Sequence, residues 1–87
     1  MSTQGSIVGR VVDASGVPVS GATVAIAEGD QPFREIGALT DGGGAFRFGG
    51  VLPGRYRLEA HVRECRGSAH VVVREGEQAD TEVRLGD

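Results

Sequence analysis

Residues 40–58 read TDGGGAFRFGGVLPGRYRL, and the order of turn and strand residues in that stretch decides the fold class. Three consecutive glycines follow Asp41, whose short carboxylate can accept a hydrogen bond from the backbone two residues on, so a tight turn must follow Thr40. AFRF then puts Phe46 and Phe48 on one side of an extended strand, facing a core, with Arg47 on the other side. GGVLPG breaks the alternation, and Pro53 and Gly54 lead into RYRLEAHVREC, residues 55–65. There Tyr56, Leu58, Ala60 and Val62 face inward, while Arg55, Arg57, Glu59, His61 and Arg63 face outward. A period of two on both sides of a turn is the mark of half-buried strands.

The pattern continues outward from this stretch in both directions. SIVGRVVD, from Ser6, is a β-branched first strand with Ile7, Gly9 and Val11 on one side and Val8, Arg10 and Val12 on the other. It ends in ASGVP, where Gly16 supplies a positive φ and Pro18 fixes its own. GATVAIAE is a second strand with Ala22, Val24 and Ile26 on one face. After the loop GDQP, FREIGAL is a weaker strand with two nearly equally apolar faces, which predicts an edge position. Beyond residue 65, RGS turns the chain into AHVVVRE, with Ala69, Val71 and Val73 inward, and EGEQAD turns it into TEVRL, with Thr81, Val83 and Leu85 inward. Seven short strands with regular turn signals, and no long segment at helical period, predict an all-β, seven-stranded antiparallel Greek-key β-sandwich. There is no internal repeat; residues 1–5 read as a short flexible N-terminus and residues 6–87 as one domain.

Composition bounds the function. Eighty-seven residues hold one core, fifteen Gly and four aromatics make it a thin one, and no apolar run reaches the ~18–20 residues of a membrane span. The start, MSTQGSIVGR, lacks a secretory signal, so the sequence as written predicts a cytoplasmic protein, or a secreted or surface one if the N-terminus was trimmed. The single Cys65 closes no internal disulfide, which fits a reducing compartment. A net charge of −3 without a basic cluster argues against nucleic acid. All nine basic residues are Arg, which fits either the codon bias of a GC-rich genome or selection for bidentate recognition. Without Lys or Asn there is no Schiff base, no isopeptide cross-link and no Asn-linked glycosylation acceptor.

Two stretches, GRVVDASGVPVSGATVAI (residues 9–26) and TDGGGAFRFGGVLPGRYRL (residues 40–58), together resemble the carboxypeptidase regulatory-like domain, a transthyretin-like or prealbumin-like sandwich. The carrying features are Gly9-x-Val11, the Gly16–Pro18 turn, Gly21-Ala22-x-Val24, Thr40-Asp41, Phe46-x-Phe48 and Leu52-Pro53-Gly54-x-Tyr56. The resemblance implies the fold, and a module that usually carries no active site. These residues also make structural sense: Gly16 and Gly44 fall where turns need φ > 0, Asp41 can cap a turn, and the Tyr56 hydroxyl can bond the backbone as in a tyrosine corner.

Candidate chemistry is sparse. Residues 65–68, CRGS, with His61 and His70 nearby, have a superficial likeness to the C-terminal Tyr-Arg-Gly-Ser of hydroxyisourate hydrolase, an enzyme that shares the broader fold. The tyrosine is replaced, nineteen residues follow, and the enzyme's N-terminal His motif has no counterpart. His61 and His70 face outward on two strands that a hairpin would join, as a partial metal site or as solvated surface side chains. Asp41, Glu75, Glu77 and Asp80 sit in turns without calcium-loop spacing. Cys65, between Arg63 and Arg66, is either an exposed, thiolate-favoured side chain or a small plug at the end of the core. No catalytic, metal or cofactor-binding residue is assigned, and no cofactor is expected.

The sequence therefore predicts a non-enzymatic protein-interaction or scaffold module, binding another protein or itself through a strand edge or an Arg-lined sheet face. A small-ligand or carbohydrate-binding sandwich is the alternative. The candidate surface comprises Phe33, Arg47, Arg55, Arg57, His61, Arg63 and Arg74, with Phe33 as the apolar contact on an open edge. Interspersed Glu59 and Glu82 leave open whether the arginines form a recognition surface or a neutralised, solvated face.

Overall fold

The computed structural model describes residues 4–30 and 37–86. It contains seven strands and, among the described residues, no helix: β1 (Gly5–Val12), β2 (Thr23–Gly29), β3 (Ala38–Leu39), β4 (Ala45–Val51), β5 (Gly54–Val62), β6 (Cys65–Val73) and β7 (Gln78–Arg84). They form a three-stranded sheet in the order β4-β1-β7 and a four-stranded sheet in the order β3-β2-β5-β6. The two-layer all-β architecture is the one predicted.

Alternation determines the core. Ile7 and Val11 of β1, Val24 of β2, Leu58 of β5 and Val83 of β7 have no exposed surface, and Tyr56, Ala60, Val71, Val73 and Leu85 are buried around them. Phe46 and Phe48 meet edge to face with centroids 5.9 Å apart, the favoured aromatic geometry. The inward faces predicted for β2, β5, β6 and β7 all hold.

Three features differ from the sequence expectation. First, the sandwich is not wholly antiparallel, because β1 pairs with β7 in parallel, Ser6 opposite Gln78 through Val12 opposite Arg84. The first and last strands lie far apart in sequence, so no tight turn constrains their relative direction. Second, β5 and β6 are joined at Arg63–Glu64 and not at residues 66–68: Val62 pairs with Cys65 across a two-residue turn in which Arg63 adopts φ 54°. Arg63 is thus a turn residue, and Cys65–Ser68 belong to β6. Third, only Ala38–Leu39 of the weak third strand is seen paired, against β2 at the sheet edge; residues 31–36, including Phe33, lie outside the described residues.

The turns behave as their chemistry requires. The Asp41 carboxylate accepts from the Gly43 N–H at 2.9 Å and the Ala45 N–H at 3.0 Å, and Gly44 has φ 77°, with a Cβ there brought to 2.7 Å from the Val11 carbonyl oxygen. Asp13 makes the same bonds to Ser15 and Val17 ahead of β2, with Gly16 at φ 86°. The Tyr56 hydroxyl donates to the Leu52 carbonyl at 2.6 Å, forming the expected corner, and burial raises its pKa. The two amides hold the Asp41 carboxyl below its ordinary pKa, Ala45 more than Gly43, and Arg55 does the same for Asp30, through its backbone N–H first and its guanidinium second. A carboxyl depressed in the folded state contributes stability that is complete above its unfolded pKa and is lost as pH falls through the folded value. Acid unfolding followed by circular dichroism should therefore show stability declining below about pH 4, and Asp41→Asn should flatten that decline.

Candidate functional site

Two regions of the sandwich offer surfaces, and both follow from the strand order. On one side the sheets close on each other. The Gly86 N–H donates to the Arg66 carbonyl at 2.7 Å, and a Cβ on Gly67 would run into the Arg84 carbonyl. β6 and β7 are thus packed together at this side. On the other side β4 and the short β3 are the outermost strands, and among the described residues β4 pairs only with β1.

The β4 edge can be read group by group. The Val11 N–H donates to the Gly44 carbonyl at 2.8 Å, and pairing continues as Gly9 opposite Phe46 and Ile7 opposite Phe48. Because antiparallel pairs alternate between bonded and non-bonded, Ala45 and Arg47 turn their N–H and C=O groups away from β1. Those of Ala45 are taken by Asp41, whose carboxylate accepts from the Ala45 N–H and whose N–H donates to the Ala45 carbonyl at 3.0 Å. Arg47 is left with both main-chain groups toward the open side and no partner for them among the described residues. The strand continues into Gly49 and Gly50, with a register shift opposite Gly5–Ile7. Such an irregularity is a common way to end regular pairing at an edge.

The second surface is the outer face of the four-stranded sheet. Arg55, Arg57, Glu59 and His61 of β5 point outward, opposite Val72, His70, Ser68 and Arg66 of β6 respectively. Arg57, the best-covered guanidinium here, bonds Glu59 at 2.7 Å and Glu28 at 3.1 Å, and those two carboxylates, Glu59 foremost, raise its pKa. Arg55 meets Asp30 at 3.3 Å. Exposed pairs of this kind contribute little to stability because solvent screens them, but they neutralise the middle of the face.

The candidate residues consequently do not share one surface. Arg47 lies on the three-stranded sheet, Arg55, Arg57 and His61 on the four-stranded one, Arg63 in the hairpin turn, and Arg74 just past β6. A single Arg-lined sheet face does not form, since the arginines are divided between two sheets and a turn. His61 and His70 share a face but not a row: His70 opposes Arg57, four residues along β5 from His61, which sets them about 14 Å apart at ~3.4 Å per residue. Cys65 is half-buried and packs against the core, the plug of its two readings. Among the described residues no three His, Cys, Asp or Glu side chains gather as a metal site would need, and no helix is long and apolar enough to cross a membrane.

The outward placement of Arg66 and Ser68, and the one-sided pairing of β4 among the described residues, escaped the sequence reading. The first was recoverable: continuing the inward phase of Val73, Val71 and Ala69 backwards brings Gly67 and Cys65 in and turns Ser68 and Arg66 out. The second was not, since an edge is defined by the absence of a neighbour.

The family description "carboxypeptidase regulatory-like domain" matches residues 6–86. No curated protein matches the sequence. Among solved structures, the Bacillus anthracis TIE protein superposes with a TM-score of 0.75 at 17% identity, over 95% of this chain and 16% of that one. Hydroxyquinol 1,2-dioxygenase from Pseudomonas putida DLL-E4 gives 0.70 at 14% identity, over 98% and 57%. A Pseudomonas aeruginosa protein suggested to bind carbohydrate gives 0.67 at 16% identity, over 95% and 89%. At these identities the likeness is one of fold, and the chain spans only a part of the first two proteins.

Proposed function

The chain belongs to the carboxypeptidase regulatory-like domain family, and from that membership we propose a non-catalytic module that binds another protein by adding one of its strands to the β4 edge. The observation that carries this reading is the outward N–H and C=O of Arg47 on a seven-residue strand bonded on one side only among the described residues. An extended segment laid beside β4 would satisfy those groups, the mode by which open sheet edges recruit partners. β3 lies beside β4 and carries Leu39, 72% exposed, as an apolar contact near the same edge. Phe33, which precedes β3 in sequence, is a further contact on this proposal.

Carbohydrate binding has less support. Sugar sites commonly rest on an exposed aromatic platform, and among the described residues Phe46 and Tyr56 are buried and Phe48 is half-buried, while the sequence holds no Trp.

The test is affinity capture from the host with the folded domain as bait. Arg47→Pro removes the edge N–H without touching the ladder to β1, so it should abolish capture of the specific partner. Arg47→Ala, which keeps the N–H, should retain it. Phe33→Asp should weaken capture, and Arg55/Arg57/Arg63→Ala should leave it intact. Capture undiminished by Arg47→Pro, with the fold verified by circular dichroism, would remove the β4 edge from consideration.

A further inference from the structure

We propose that the hairpin end of the outer four-stranded face, where His61, Arg66 and Ser68 meet, binds an oxyanion of carboxylate or phosphate type. The register brings the three together. His61 lies directly opposite Arg66, and Ser68 opposite Glu59 in the next outward row. Directly opposed side chains leave the sheet about 5 Å apart. His61, Arg66 and Ser68 line one shallow depression together with Glu59, Ala60 and Gly67.

Charge separates this end of the face from the rest. Arg55 has Asp30 as its counter-ion, and Arg57 has Glu59 and Glu28. The Glu59 carboxylate is drawn along its own strand to Arg57 at 2.7 Å, not across to Arg66. Arg66 has no ion pair among the described residues, including none with Glu64 in the adjacent turn. An unpaired guanidinium offers a planar fork of donors that matches two oxygens of a carboxylate or phosphate. An imidazole N–H and a hydroxyl beside it can each add a donor. The backbone beneath is fixed, because the Arg66 carbonyl accepts from the Gly86 N–H at 2.7 Å and Gly67 is pressed against Arg84. A site on a fixed strand loses less entropy on binding than one on a loop.

The experiment is a titration of the amide resonances of the isotope-labelled domain with inorganic phosphate and, separately, with acetate, at constant ionic strength set by sodium chloride. Saturable shifts confined to residues 59–61 and 66–68 are expected for at least one anion. The tighter of the two identifies the group as phosphoryl or carboxylate. Arg66→Gln, an exposed substitution, should remove saturation, and Ser68→Ala should weaken it several-fold. Linear, dispersed shifts, or saturation unchanged in Arg66→Gln, would overturn the proposal. Arg47→Pro should leave the titration unaltered, so the anion site and the β4 edge stand or fall separately.

Discussion

Thr40→Val is expected to destabilise the domain by about 2–4 kcal/mol, the cost of two lost hydrogen bonds and an orphaned buried donor. Thr40 is the one buried polar side chain among the described residues. Its hydroxyl accepts from the Ala22 N–H at 2.9 Å and donates to the Val19 carbonyl at 2.7 Å. Its main chain bonds the same region, through Thr40 N–H to the Ala22 carbonyl and Gly21 N–H to the Thr40 carbonyl. Thr40 therefore clamps the entry of β2 to the exit of β3. Valine has the shape but not the oxygen, so the Ala22 N–H would stay buried without an acceptor. At roughly 4–8 °C per kcal/mol for a domain of this size, the melting temperature should drop by about 8–32 °C. Thr40→Ser keeps the hydroxyl and should lose at most about 1.5 kcal/mol, mainly for the missing methyl. Urea titration of both variants checks the account, and a valine variant within about 1 kcal/mol of wild type would contradict it.

Gly67→Val is expected to cost about 3 kcal/mol or more, or to prevent folding, as overpacking against rigid backbone does at its worst. A Cβ at Gly67 would collide with the Arg84 carbonyl and stand 2.8 Å from its carbonyl carbon and 3.1 Å from the Leu85 Cα. None of these atoms can rotate away. Relief would require β6 to separate from β7, breaking the Gly86 to Arg66 bond and exposing Val83 and Leu85, both buried. Gly49→Ala is the control, since a Cβ there meets nothing within 4 Å, and it should change stability by less than about 1 kcal/mol. Thermal unfolding of the two variants separates steric closure from the general effect of losing a glycine.

Much of this arrangement was legible residue by residue, and the limit of legibility has a physical cause. The inward positions of Tyr56, Leu58 and Ala60 follow from a two-residue period that any single strand displays. The Asp41 turn follows from a carboxylate that bonds the amide two residues on, and the turn after Asp13 was read from Gly16 and Pro18, to which the structure adds the Asp13 carboxylate. The Arg63–Glu64 turn was misplaced by three residues because RGS offers a glycine, while the actual turn relies on a non-glycine residue at positive φ. That glycine serves a packing need instead, the close approach to Arg84. The proposed anion site was hidden for the same reason: with the turn misplaced, Arg66 never stood opposite His61.

Local side-chain chemistry, acting over two to five residues, was enough for the sequence alone to determine the all-β class, the faces of the principal strands, the capped turns and the family resemblance. What only the tertiary structure decided is relational: the parallel β1/β7 pair, the pairing of β4 with β1 alone among the described residues, the Glu28–Arg57–Glu59 ion network and the register that sets Arg66 opposite His61. Each depends on which distant strand lies alongside and in what register, and that choice is made by burying all the inward faces together.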